Sequence, residues 1–337
     1  MVRRNIQQLS DGESVDEVYL VADKQMRTNR NGNPYLQLEL RDRTGSISAR
    51  LWNASEALFR QFDTGDLLRV RGRVQLYQGS LQLILSHIAP AEDEKCDLSQ
   101  FVPHSEQDIS KLLERLRGLL TFKNHHLQAL TECFLMDERF VEGFCRAPAG
   151  IKNHHAYIGG LLEHVVQMLE VAERICPLYP ELDRDLLVAG IFLHDIGKTR
   201  ELRYQKTFGY SDEGQLVGHI TLGIEMLDEK LAQVPDLTGE AFPRELSLRL
   251  KHMILSHHGA YEFGSPRLPM TPEAIALHLL DNLDSKIHCF ARDIREDRNQ
   301  GSAWTPFNQA LNRRLFKGLP EAGDPLYSPA LDGEPID

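Results

Sequence analysis

Two hydrophobic rhythms divide the chain. From about Ser14 to Pro90 apolar residues come in short runs separated by turn residues, which predicts strands. Val18–Ala22 reads as a first strand, and Asn31-Gly32-Asn33-Pro34 as a turn. Tyr35–Leu40 and Ser46–Trp52 follow as strands across a turn at Asp42–Gly45, and Ala54–Phe62 reads as one short helix. Leu67–Val74 and Leu81–Leu85, joined across Gln78-Gly79, complete a set of five strands. Beyond residue 105 the rhythm changes. Ile109, Leu112, Leu113, Leu116, Leu119 and Leu120 recur at helix spacing, Leu127–Met136 repeats the habit, and the pattern stays helical to about Phe316.

Three strands, a helix and two strands in this order resemble an OB-fold, a small barrel that often binds single-stranded nucleic acid. The fold class is therefore multidomain β plus α. An N-terminal five-stranded OB-fold barrel occupies residues 1–90, and residues 91–104 form a polar linker ending near Pro103. A helical segment, 105–150, packs on an all-α domain at 151–317. Residues 318–337, rich in proline, glycine and charge, are expected to be a disordered tail. Neither core needs the helices between 105 and 145, which leaves room for a homo-oligomer.

Composition narrows the function classes. The 337 residues are 42% hydrophobic and 26% charged, values of an ordinary globular protein. No apolar run approaches the roughly 20 residues of a membrane span, and Met1–Gln8 carries no signal-peptide apolar region. A cytoplasmic protein with no membrane partner is expected. Cys96, Cys133, Cys145, Cys176 and Cys289 are scattered and never form a Cys-x-x-Cys pair, which argues against both a disulfide framework and a cysteine metal site. The net charge of −11 is unevenly placed: residues 1–90 carry +2 and the remainder −13. Within the basic part Arg69, Arg71 and Arg73 share one strand face, able to track phosphates, while Tyr35, Trp52 and Tyr77 offer stacking surfaces for bases.

The acidic, helical part holds the chemistry. His164 lies close to the apolar face of a helix opened by Gly159-Gly160, and His194-Asp195 ends the buried run Asp185–Leu193. There Gly197 reads as a glycine permitting a left-handed turn, and Lys198 as a cation suited to the helix dipole or to a phosphate. His219 precedes another helix, His257-His258 ends one, and Asp281 sits within a last one, a turn from His278. One buried histidine is ordinarily a hydrogen-bonded core residue. Several on successive helices, each ending or interrupting an apolar face, point to metal ligation. Imidazole and carboxylate without thiolate suit Mn²⁺, Fe²⁺, Zn²⁺, Co²⁺ or Ni²⁺ rather than Ca²⁺.

In order and spacing these residues resemble the H…HD…D signature of the HD-domain phosphohydrolase superfamily. The arrangement is more closely similar to the YhaM family of 3′→5′ exoribonucleases, which joins an OB-fold to an HD domain. The match is carried by Asn153–Tyr157, Gly159–His164, His194–Lys198, Gly218–Ile220, Ser256–Gly259 and Leu280–Lys286. The resemblance implies metal ligands at His164, His194, Asp195, His219, His257, His258 and Asp281, with Asp195 bridging two divalent ions. Mn²⁺ comes first among these, and Mg²⁺ joins the candidates above. It implies hydrolysis of single-stranded RNA, and of single-stranded DNA as a further substrate, to nucleoside 5′-monophosphates. Asp195 and Lys198 are then the catalytic pair, and His154, His155 and Lys198 contact the substrate end. Two alternatives stay open: a phosphodiesterase acting on a cyclic or small nucleotide, and a non-catalytic nucleic-acid-binding protein. The segment Gly259–Gly264 lacks the Gly-Tyr-Pro element of the cyclic-dinucleotide group.

Overall fold

The computed structural model describes residues 4–77, 80–91, 100–151, 155–204, 208–297, 299, 301–309 and 311–318. Most of the expected linker, the residues after 318 and His154 lie outside them. The described chain divides into two compact units, Met1–Asp284 and Ser285–Asp337.

Within the first unit, β1 (Ser14–Thr28), β2 (Pro34–Asp42), β3 (Gly45–Trp52), β4 (Leu67–Tyr77) and β5 (Ser80–Pro90) close into a barrel of order β1-β2-β3-β5-β4. A short helix, α1 (Glu56–Phe59), bridges β3 and β4, with Ser55 as its N-cap. β1 is far longer than Val18–Ala22 because it serves two partners. Ser14–Leu20 pairs with β4 and Leu20–Thr28 with β2, across a register shift between Val21 and Asp23. Its outer half is polar and gives no hydrophobic signal. The single parallel pairing, β3 with β5, closes the barrel. Alternation along β2 sends Leu36, Leu38 and Leu40 inward to meet Tyr19, Ile47, Val70 and Leu83. Gly72 is required by closeness: a Cβ there would lie 2.3 Å from the Ile84 carbonyl oxygen, at the bulge where β4 shifts register against β5.

The helical part begins with α2 (Ile109–Leu119), α3 (His125–Leu135) and α4 (Glu138–Arg146), N-capped by Asp108, Asn124 and Asp137. There follow α5 (Gly160–Ile175), α6 (Arg184–Leu193) and the one-turn α7 (Lys198–Glu201). A small hairpin, β6 (Leu202–Arg203) with β7 (Gly209–Tyr210), interrupts the helices, so this region is not purely α. The chain continues through α8 (Asp212–Leu216), α9 (His219–Leu231), α10 (Val234–Thr238), α11 (Arg244–Ser256) and α12 (Pro272–Glu296).

One hydrophobic cluster runs from Leu112 and Leu130 through Leu162, Leu187 and Ile254 to Leu277. The helices between 105 and 145 are thus part of that core, and the expectation that neither core needs them is corrected. The Asp185 carboxylate strengthens the join by accepting from the Lys123 and Asn124 backbone at 2.6 and 2.9 Å. A smaller cluster sets Leu20 and Leu67 of the barrel against Phe101 and Val102, with Ile158 and Phe208 packed on it. In the second unit regular helix ends at Glu296, short of Phe316. Its remainder is held by Thr305–Leu315 backbone bonding and by the Trp304 ring against Phe316.

Candidate metal centre

Each metal candidate stands where a helix starts, stops or turns inward. His164 lies one turn into α5, fully buried, and His194 caps the C-terminus of α6, whose residues from Asp185 onward are all buried. His219 opens α9, His257 caps α11 and Asp281 lies in α12. The loop after α6 folds tightly onto α9. Gly197 has an ordinary right-handed conformation, φ −60°, so the left-handed turn expected there is absent. Its small size is needed instead, because a Cβ would lie 1.9 Å from the His219 carbonyl oxygen.

The result is a ring of donors around Asp195. Asp195 Oδ1 lies 3.6 Å from His219 Nε2 and 3.6 Å from His257 Nε2, while Oδ2 lies 3.3 Å from His194 Nε2. His164 Nε2 stands 3.5 Å from Asp281 Oδ1. His194 Nε2, Asp195 Oδ1, His219 Nε2 and His257 Nε2 are buried atoms without a hydrogen-bond partner among the described residues. Such isolation is costly, since an unsatisfied buried polar group loses about 1–3 kcal/mol. Ligand atoms held about 2.0–2.2 Å from one ion stand roughly 3–3.6 Å apart, the spacing seen here. The residues present therefore fit a divalent metal. Among the described residues, two of the four candidate ligand groups gather around Asp195: His164-His194-Asp195 and His219-His257-His258.

The opposite edge of each ring fixes its orientation. The Nδ1–H groups of His194, His257 and His258 donate to the carbonyl oxygens of Ile191, Ile254 and Phe263 at 2.7, 2.7 and 2.9 Å. His164 Nδ1 donates to Asp284 Oδ2 at 2.7 Å, and His219 Nδ1 to Glu201 Oε1 at 3.0 Å. This pattern places the bare Nε2 of each ring toward the centre, as metal ligation requires. Burial pushes the His257 imidazole well below its ordinary pKa and the nearby Asp195 carboxylate only partly offsets it, so the ring is neutral and its lone pair available. Burial opposes ionisation of Asp195, yet the Lys198 ammonium overrules it and holds the carboxyl well below its usual range.

Several expected contacts are placed differently. Lys198 neither caps a helix nor faces solvent: it opens α7, is buried, and donates to Asp195 Oδ2 at 2.6 Å. His155 is fully buried, with its ring atoms bonded to Tyr157 and Asp284 at 2.7 and 3.0 Å. His278 bonds the His257 carbonyl at 2.8 Å, supporting the His257-His258 turn. On the barrel, Arg69 and Arg71 share Asp16 at 2.8 Å each, and Arg73 donates to the Gly12 carbonyl at 3.0 Å. Those cations are partly neutralised by their own strand neighbours. The aromatic group is better disposed: Trp52, 42% exposed, packs on Tyr35 at 5.0 Å, and the Arg50 guanidinium lies 5.6 Å over Tyr77, itself 47% exposed. Glu201, Asp284 as an orienting group, and Arg50 escape the sequence reading. The only signal for the carboxylates is spacing, since Glu201 and Asp284 each follow a charged site residue, Lys198 and Asp281, by one helical turn.

Comparison with known proteins agrees with this geometry. The HD domain model matches residues 161–286, and the OB-fold nucleic acid binding domain model matches residues 20–91. A 3′-5′ exoribonuclease YhaM of Bacillus velezensis is 37% identical over 307 residues, spanning 90% of this chain and 95% of the relative. The protein of the same description from Bacillus subtilis strain 168 matches to the same extent. This chain belongs to the YhaM family. Membership in it, with the HD domain, implies dependence on a divalent metal. In YhaM terms the two matched models meet the two observed parts, a closed five-stranded barrel and a helical region with a histidine-aspartate centre. No helix among the described residues is long and apolar enough to cross a membrane.

Proposed function

We propose that this chain hydrolyses single-stranded RNA from its 3′ end, releasing nucleoside 5′-monophosphates, with single-stranded DNA as a second substrate. The observation that carries the reading is the convergence of His194, His219 and His257 Nε2 on Asp195, all buried and none hydrogen-bonded at those atoms. Two ions fit the donors. His164, His194, Asp195 and Asp281 would hold one, and Asp195, His219, His257 and His258 the other, with Mn²⁺ the first choice. The domain limits that accompany this reading are 1–90, 91–104, 105–150 and 151–317, and the cytoplasm suits its substrate.

The chemistry two such ions supply when bound is positive charge for phosphate oxygens and acidity for the attacking water. The chain's own residues prepare the site. Lys198 keeps Asp195 ionised in a buried setting, and the carbonyl and carboxylate anchors keep five imidazoles facing inward. Asp281 and His219, with side chains 18% and 14% exposed, mark the side open to a phosphodiester, while His164, His194 and His257 seal the floor. Water oxygen forms a bond to phosphorus as the bond from phosphorus to O3′ breaks, and a proton passes to the leaving 3′ oxygen. The barrel's Trp52, Tyr35 and Tyr77 would hold the bases of the remaining strand.

The test is degradation of a 5′-labelled single-stranded RNA by metal-stripped protein resupplied with Mn²⁺, beside Asp195→Ala. A ladder descending by single nucleotides, seen only with wild type and metal, is expected. Intact RNA with every divalent metal would sink the reading and leave a smaller nucleotide as the substrate to seek.

A further inference from the structure

Outside the metal centre, α4 and the α7–β6 segment enclose a cavity of about 380 Å³ lined by Arg139, Arg146, Arg203, Glu142, Thr199 and Tyr204 among others. Arg139 and Arg146 lie two turns apart on one face of α4. Arg146 has Glu142 at 3.4 Å, and Arg203 Nε donates to the Tyr210 carbonyl at 2.8 Å. Among the described residues neither Arg139 nor Arg203 forms an ion pair with a carboxylate. Three guanidiniums therefore face one carboxylate around a single cavity.

The cavity's walls lead to two places that matter for a strand. The Arg146 carbonyl accepts from Gly159, and the adjoining Ile158 packs against Leu20 and Leu67 of the barrel. Phe208 joins the same cluster beneath the Arg41 guanidinium, 5.9 Å from its ring. Thr199 follows Lys198, the residue bonded to Asp195. The cavity thus sits beside the seam between barrel and helices, with one wall rooted in the metal centre. Guanidinium forks suit phosphate oxygens, and the barrel's own Arg69 and Arg71 are already bonded to Asp16.

We propose that this cavity binds a backbone phosphate of the single-stranded RNA upstream of the bond being cut. The proposal rests on the exoribonuclease reading above. It is tested by fluorescence anisotropy in EDTA, using a labelled single-stranded RNA long enough to span barrel and centre. Wild type is compared with Arg139→Ala/Arg146→Ala, with Arg203→Ala, and with Arg249→Ala, whose side chain is exposed and paired with Glu245 on α11. The double variant should bind about tenfold more weakly, the scale of one charge-assisted hydrogen bond. Its slope of log affinity against log salt should shrink by about 0.7 for each phosphate no longer neutralised. Mn²⁺-dependent cleavage of a dinucleotide should be unchanged, and the thermal melt should match wild type. Arg203→Ala gives an independent reading if the double variant folds poorly. Affinity and salt slope equal to those of Arg249→Ala overturn the proposal. If wild type still cleaves the dinucleotide, the exoribonuclease reading survives that failure. If wild type cleaves neither RNA, the reading and the proposal fall together.

Discussion

One oxygen of Glu201 accepts from both the backbone N–H of His219, at 2.9 Å, and its ring Nδ1, at 3.0 Å. The hydrogen bonds and charge of His219 hold that carboxyl below its ordinary pKa against the upward push of burial. Glu201→Gln keeps the volume but turns an acceptor into a group that can face the ring with an N–H. Metal affinity should fall about 10- to 100-fold, the usual cost of removing such an orienting carboxylate, with little change in fold. Titration of metal-stripped protein with Mn²⁺ measures this directly, and unchanged affinity would show that His219 needs no such anchor.

Asp284 plays the corresponding part for His164 and His155. Burial raises its pKa, but the hydrogen bonds and charges of the two histidines outweigh that and hold it far below the ordinary value. A depressed carboxyl stabilises the fold fully above its unfolded pKa, about 3.9, and that contribution is lost as pH falls through the folded value. Metal-stripped Asp284→Asn should therefore melt below wild type at neutral pH, and the gap should close as pH drops below about 4. A gap that persists undiminished in acid would assign the effect to packing.

At the scale of elements, legibility follows burial. The candidate metal ligands stand out where they break an apolar run: nine consecutive residues from Asp185 to Leu193 are buried, and His194-Asp195 is where that run stops. The role of Gly197 is not, because a close approach between α7 and α9 leaves no local trace, whereas a left-handed turn is the commoner reason for such a glycine. The outer half of β1 is hidden because its residues are polar on the exposed face and only its pairing with β2 defines it. Arginine spacing on β4 does reveal one shared face, but the partner, Asp16 on β1, is 53 residues from Arg69 and invisible to periodicity. The exposed rings proposed to stack bases are Trp52 on β3 and Tyr77 on β4. Trp52→Ala should cost about 1–3 kcal/mol of RNA affinity, roughly 5- to 150-fold, since one base loses its platform. Equilibrium binding in EDTA checks it, and the same variant should leave Mn²⁺ affinity untouched. A loss of both would mean that Trp52 supports the fold.

For the whole molecule, the change of hydrophobic rhythm near residue 105 separates two cores that the structure keeps distinct, one inside the barrel and one among the helices. What no rhythm shows is the third, small cluster where they meet, because Leu20, Phe101, Ile158 and Phe208 come from four separate stretches. The charge asymmetry takes on meaning there. Of the net −13 over residues 91–337 only −5 falls on residues 105–317, so the helical surface repels a polyanion mildly and a cluster of cations there is enough to relieve that repulsion.

Closure of the barrel has one more consequence. Each strand of the barrel has a neighbour on both sides over part of its length, which leaves only short free edges, such as β1 beyond Val21, to which an extended strand or peptide can add by backbone pairing. In the proposed reading a strand lying on the barrel face is held mainly by side chains, through rings that accept any base. Each one-nucleotide advance then exchanges a set of contacts for an equivalent set, so the energy of the complex is nearly periodic along the strand. In that reading the RNA moves by thermal sliding, and hydrolysis at the 3′ end makes the sliding one-way.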